Sequence, residues 1–221
     1  MYSLNNRLID IISASPAVVL LLSRFGISLG FGNATIDEVC HKNNVPADLF
    51  LMISNIYADD HYRVSKDTLK RVNLEVLFCY LRRSHDFYIN DRLPHIQRHL
   101  DKVAASAAEK GDVLRKYFQN FLQQAARHFR AEEQKLFPVI EQMARGENVD
   151  TQVIVSFEEH HDRLDEQLSD LTQLVFKYIP GVDAEFSTEM LFDIVVLNHD
   201  LQKHAIIEER VLLPYIKMIT R

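Results

Sequence analysis

Six polar side chains interrupt helical stretches that are otherwise apolar on one face: His85, His128, Glu132, His161, His204 and Glu208. In His128/Glu132 and His204/Glu208 the partners are four residues apart. In an α-helix that spacing stands imidazole and carboxylate one turn apart on the same face, aimed at one point. The pattern is duplicated. His85 precedes His128 by 43 residues, and His161 precedes His204 by 43. His85/His161, His128/His204 and Glu132/Glu208 therefore share one offset of 76 residues, as do Asp86/Asp162, Glu133/Glu209 and Pro138/Pro214. The second half reads as a copy of the first, a helix pair related to its partner by an approximate two-fold axis.

Four imidazoles and two carboxylates are more than one tetrahedral zinc ion takes. Two carboxylates able to bridge suit a pair of metal ions, with coordination positions left for solvent or a small ligand. Imidazole plus carboxylate fits iron, while ligand type alone leaves zinc, copper and nickel open. A lone histidine on a helix is ordinarily a satisfied core or surface residue, and a single H-x-x-x-E is ordinarily a local pair. Three pairs at one shared offset on apolar stripes are a different matter. Left unpaired in a core, such groups would cost several kcal/mol each, and a metal accounts for them.

The other polar candidates read as bland. His160 is off the stripe and expected at the surface, His95 and His99 beside Pro94 are expected to be solvated, and so are His41 and His61. His199 is off the face of His204. Glu133 and Glu209 follow the proposed ligands and should point outward, Tyr88 should be core, and Cys79 should pack. Pro138 and Pro214 should kink or end their helices.

Four long segments must position the six donors, each an amphipathic stripe of helical period. They run through Phe78–His85–Ile96, Leu114–His128–Leu136, Ile154–His161–Val175 and Leu191–His204–Leu212, with breaks at Gly111-Asp112, Gly146-Glu147-Asn148 and Pro180-Gly181. Short links make this an antiparallel four-helix bundle. Before it come short helices: Asn5–Ser13, Pro16–Phe25 stopped by Gly26, one opened by a Thr35/Glu38 capping box and ending near Asn43-Asn44, and one from Pro46 to about Tyr57. The expectation is an all-α chain with a small helical domain over 1–65 and the bundle over 66–221.

Composition excludes much else. The 221 residues are 47% hydrophobic, enough for a packed core, and six glycines and six prolines are few for a turn-rich β fold. Cys40 and Cys79 cannot make a C-x-x-C site or a disulfide framework. The apolar run Pro16–Leu22 is too short to span a bilayer, and Asp10 spoils a signal-peptide core, so a cytoplasmic protein without membrane attachment is expected. Thr35–Tyr57 could pass for a helix-turn-helix, but residues 1–65 hold four basic and six acidic side chains and the chain carries −6 overall. A DNA-reading unit should be basic, so no nucleic-acid partner is expected.

The residues are similar to a known family. His85-Asp86, His128-Phe129-Arg130-Ala131-Glu132-Glu133 with Leu136-Phe137-Pro138, Glu159-His160-His161-Asp162, and His204-Ala205-Ile206-Ile207-Glu208 with Leu213-Pro214 resemble the hemerythrin-like (HHE cation-binding) family. The arrangement is nearest to its di-iron, iron–sulfur cluster repair (RIC) branch, whose small N-terminal domain Ser23-Arg24-Phe25-Gly26-Ile27 and Thr35–Cys40 also resemble. The resemblance implies two non-haem irons, oxo- or hydroxo-bridged, held by the six residues with Glu132 and Glu208 bridging. It implies a response to nitric oxide or oxidative stress, through iron–sulfur cluster repair or diatomic-gas redox chemistry. The implied partners are O2 or NO and iron–sulfur proteins. A sensor or carrier of O2 or NO without turnover is the alternative, and the residues leave open whether the chain is an enzyme. One motif departs: where the branch carries a Cys-Cys pair, this chain reads Ser28-Leu29-Gly30-Phe31-Gly32-Asn33.

Overall fold

The computed structural model describes residues 1–107, 109–159, 164–178 and 184–219. Among these the fold is all-α: mostly long helices in a four-helix-like bundle, preceded by shorter helices, with no sheet. An isolated antiparallel bridge joins Arg7 and Thr35. The chain divides into two compact units, Met1–Ser84 with Lys203–Arg221, and His85–Gln202.

In the first unit the short helices are α1 (Leu8–Ala14), α2 (Val19–Phe25, entered through the 3-10 turn Pro16–Val18), α3 (Ile36–Lys42), α4 (Ala47–Ala58) and α5 (Lys66–Lys70). Local chemistry sets their ends. Gly26 stops α2 at φ 71°, a left-handed conformation that costs a residue without Cβ little. The Thr35 Oγ1 accepts from the Glu38 backbone N–H at 3.3 Å, and the Glu38 carboxylate accepts from the Thr35 N–H at 2.8 Å. That is the capping box expected from the sequence. Phe25 packs edge-on to Phe50 at 5.3 Å, and Arg24, 2% exposed, donates to the Tyr57 hydroxyl at 2.7 Å.

The long helical stretches are α6 (Leu74–Asp86) running on into α7 (Leu93–Ser106), α8 (Glu109–Ala131) into α9 (Phe137–Ala144), α10 (Gln152–Glu159), α11 (Leu164–Tyr178), and α12 (Ala184–Ile207) into α13 (Leu213–Ile219). In the unit His85–Gln202 the core is built by Ile96 and Leu100 of α7, Phe118 and Phe121 of α8, Leu168 and Leu171 of α11, and Ile194 of α12. These are stripe positions of helical period, so burying them is what drives the helices together. The break expected at Gly111 lies earlier in the chain, because α8 begins at Glu109. The glycine has a different purpose. A Cβ there would stand 2.0 Å from the Ala104 carbonyl oxygen, so only glycine allows α7 and α8 to approach this closely.

Among the described residues three π-helical turns interrupt the long stretches: Phe87–Arg92, Glu132–Leu136 and Glu208–Leu212. After each, the backbone N–H of Leu93, Phe137 or Leu213 reaches back five residues, to the carbonyl of Tyr88, Glu132 or Glu208. The next residue in every case is a proline: Pro94, Pro138 and Pro214. Pro138 and Pro214, expected to kink or end their helices, do not end them: each stands near the start of α9 or α13, which follows directly on a π turn. Proline has no N–H to complete the α-helical ladder, and a widened turn just before it accommodates that loss.

Candidate metal centre

Glu132, the first residue of its π turn, is 2% exposed and lies between two imidazoles of its own unit. Its Oε2 is 3.2 Å from Nε2 of His85, from α6, and its Oε1 is 3.0 Å from Nε2 of His128, from α8. The His85 ring stacks on Phe129, centroids 4.3 Å apart and planes at 15°, with Phe137 beyond at 6.1 Å. The two aromatic rings cover His85 on that side.

Glu133 completes the arrangement. Its Oε1 sits 2.7 Å from Nδ1 of His85. An ionised carboxylate only accepts, so Nδ1 donates and carries the ring proton. In the neutral ring Nε2 then turns its lone pair toward Glu132. Two lone pairs facing each other at 3.2 Å repel unless a proton or a cation lies between them. A carboxylate on the far nitrogen is also what metal-ligating histidines ordinarily have. His85 and Glu132, both buried, with His128 half-buried beside them, form a cluster capable of coordinating a metal ion, and its donor set suits one.

In the other unit, His204 and Glu208 form the equivalent pair, Nε2 to Oε1 at 3.1 Å, with side chains 4% and 1% exposed. The residues flanking this pair are anchored. Lys203, itself buried, donates to the Ile56 carbonyl at 2.9 Å and to the Asp60 carboxylate, and Arg210 donates to the carbonyls of Asp60 and Tyr62. His161, the remaining proposed ligand, and its neighbour His160 lie outside the described residues.

A cavity of about 560 Å³ leads toward Glu132 and His128, with Arg127, Lys135, Ser156 and Phe157 among its walls. A small molecule therefore has room to reach the donors, past two cationic side chains.

Several bland readings need correction. Glu133 is half-buried rather than outward, in contact with His85, a partnership the sequence did not single out. The signal was present in the Glu-Glu doublet, repeated at Glu132-Glu133 and Glu208-Glu209. His95 and His99 are partly buried, each close to a carboxylate, rather than simply solvated. Cys79 is exposed rather than packed, whereas Cys40 is buried. Burial, with Asp37 nearby, pushes the Cys40 thiol up to about 12, so it is a poor nucleophile and a poor metal ligand. His41, His61, His199 and Glu209 are exposed and Tyr88 is core, as expected. Among the described residues no helix is long and apolar enough to cross a membrane.

A bundle carrying paired H-x-x-x-E turns defines a class. Residues 80–216 match the family described as hemerythrin HHE cation binding domain, and the chain belongs to that family. Among curated proteins it is similar to the iron-sulfur cluster repair protein ScdA of Staphylococcus haemolyticus (strain JCSC1435). The two are 21% identical over 214 residues, which cover 92% of this chain and 94% of that protein.

Proposed function

We propose that this protein is a non-haem di-iron protein that meets nitric oxide or oxidative stress, through iron–sulfur cluster repair or redox chemistry on a diatomic gas. The observation that carries the reading is the buried Glu132 carboxylate between the Nε2 atoms of His85 and His128, at 3.2 and 3.0 Å. The 76-residue offset supports the same duty for His161, His204 and Glu208, and the family resemblance implies that Glu132 and Glu208 would be the bridging carboxylates. The similarity to ScdA along nearly the whole of both chains supports the repair reading. Iron held there would supply electrons and open coordination positions for O2 or NO. The chain's own groups prepare for it: Glu133 holds the proton on His85 Nδ1, Phe129 and Phe137 pack over the His85 ring, and the cavity beside His128 admits a small molecule. The proposed place of action is the cytoplasm, with iron–sulfur proteins as partners.

A second reading, a sensor or carrier of O2 or NO without turnover, is favoured by one observation. Ser28–Asn33 contains no cysteine, and Cys40 is too buried and too basic a thiol to stand in for one. Iron analysis and an absorption spectrum of anaerobically purified protein, before and after nitric oxide, test both. Two irons per chain and a spectrum altered by the gas are expected. One metal ion per chain, or zinc alone after anaerobic iron loading, would overturn the di-iron assignment. Under reducing conditions, release of a chemically changed gas separates enzyme from carrier.

A further inference from the structure

Away from the six donors, two helices of the unit His85–Gln202 bring together another set. His95 and His99 are four residues apart on α7, and Glu189 and Asp193 are four residues apart on α12, so each pair projects from one face of its helix. His95 Nε2 is 3.0 Å from Asp193 Oδ2, and His99 Nδ1 is 3.2 Å from Glu189 Oε2. The two rings lie 4.8 Å apart. One donor atom each from His95, His99 and Asp193 falls within 4.8 Å of the others. We propose that His95, His99 and Asp193, with Glu189 beside them, form a separate site for a single divalent cation of borderline softness, of which Zn²⁺ is the type.

Chemistry and geometry agree on this. Two imidazoles with one or two carboxylates are a zinc-like donor set, unlike the all-oxygen shells of magnesium and calcium. Ligand atoms on a tetrahedral zinc with bonds of about 2.0–2.1 Å stand about 3.3 Å apart. The two imidazole–carboxylate separations are already of that size, and the widest needs only a side-chain adjustment. His99 Nδ1 is shielded from solvent and makes no hydrogen bond, since Glu189 is close but not aligned with it. A cation would satisfy it. The site is also reachable, His95 and Glu189 being 38% and 55% exposed. The charges around it leave room for an ion. Arg92, 3.6 Å from Asp193, lies over the Phe87 ring, and exposed Arg98 contacts His95 Nδ1 at 3.1 Å. Coordination at His95 Nε2 would put the ring proton on Nδ1 and turn Arg98 out to solvent.

The test is Zn²⁺ titration of the full chain against a competing chelator, for the wild type, His95→Ala/His99→Ala and Asp193→Asn, with circular dichroism to show each is folded. The wild type should take up one more zinc equivalent than the double variant, and Asp193→Asn should bind that equivalent at least tenfold more weakly. Metal content at the His85/His128/Glu132 cluster should be the same in all three. Equal zinc uptake by the wild type and the double variant would overturn the proposal, as would wild-type uptake of the extra equivalent only at millimolar zinc. Should the double variant fail to fold, Asp193→Asn decides alone: unchanged zinc affinity there overturns the site.

Discussion

Oε1 of Glu133 lies 2.7 Å from Nδ1 of His85, which makes a residue outside the ligand set the one that decides where the His85 proton resides. The far nitrogen is thereby left facing Glu132. Partners of this type typically affect metal affinity by 10–100-fold. Glu133→Ala should therefore lower metal affinity by about that factor without unfolding the protein. Glu133→Gln should fall between, because its amide oxygen can still accept from Nδ1. Metal titration of both variants checks this, and wild-type affinity in Glu133→Ala would refute the positioning role.

Removing metal should loosen the bundle more than the N-terminal helices. Buried carboxylates and imidazoles that lose a cation keep their desolvation cost without its compensation. Binding to the native state stabilises it by mass action, so holo protein should melt well above apo, beyond the few degrees that ~1 kcal/mol gives. Hydrogen exchange should show the loss around His85, His128, His161 and His204, and much less over residues 1–58. Equal protection in both forms would mean that these side chains are satisfied without metal.

His161→Ala should remove or halve the bound metal, and His160→Ala should spare it, because only His161 keeps the 76-residue offset from His85. Elemental analysis of the two purified variants checks the assignment. The reverse result would break the repeat argument.

The thiols should separate by burial. At pH 8 a thiol pushed up to about 12 is ionised in about one molecule in 10⁴, and the thiolate is the reactive form. A thiol reagent should modify one cysteine, exposed Cys79, in native protein and both in denaturant. Raising the pH toward 12 should bring Cys40 in, since its thiolate grows as the pH approaches that value.

Gly111→Ala should destabilise by about 1–3 kcal/mol, the usual cost of overpacking, because the added methyl meets the Ala104 carbonyl at 2.0 Å. A melting temperature lower by several degrees is expected for a chain of this size. An unchanged melting curve would mean that α7 and α8 do not need this close approach.

Helical stripes, the Thr35/Glu38 capping box and the Gly26 stop could be read from the sequence because each depends on residues within one turn of each other. His128/Glu132 and His204/Glu208 belong to the same category, local pairs made conspicuous by repetition. Glu133 escaped because an α-helix points consecutive residues well apart. Its partner His85 comes from another helix, 48 residues earlier, so no local spacing points to the contact. His95 and His99 read as solvated from their own helix alone, whereas the acids beside them, Asp193 and Glu189, come from α12, 98 and 90 residues later. Gly111 reads as a stop in one dimension, and only the approach of α7 shows it to be a contact.

The three π turns also bear on how the chain tolerates insertion and deletion. Each is in effect a helix with one residue too many, and one residue is about 100° of helical rotation. Helix α9 is thus set in a different phase from α8, although the two run on without a loop. Deleting a single residue between Glu133 and Leu136 would let the turn close into regular α-helix, with His128 and Glu132 on their face and Phe137 and Ile140, both now buried, still on theirs. Aligned to a homologue that lacks the extra residue, the chain would open a gap just beyond Glu132, and sequence spacing measured across that gap would misjudge which residues share a face.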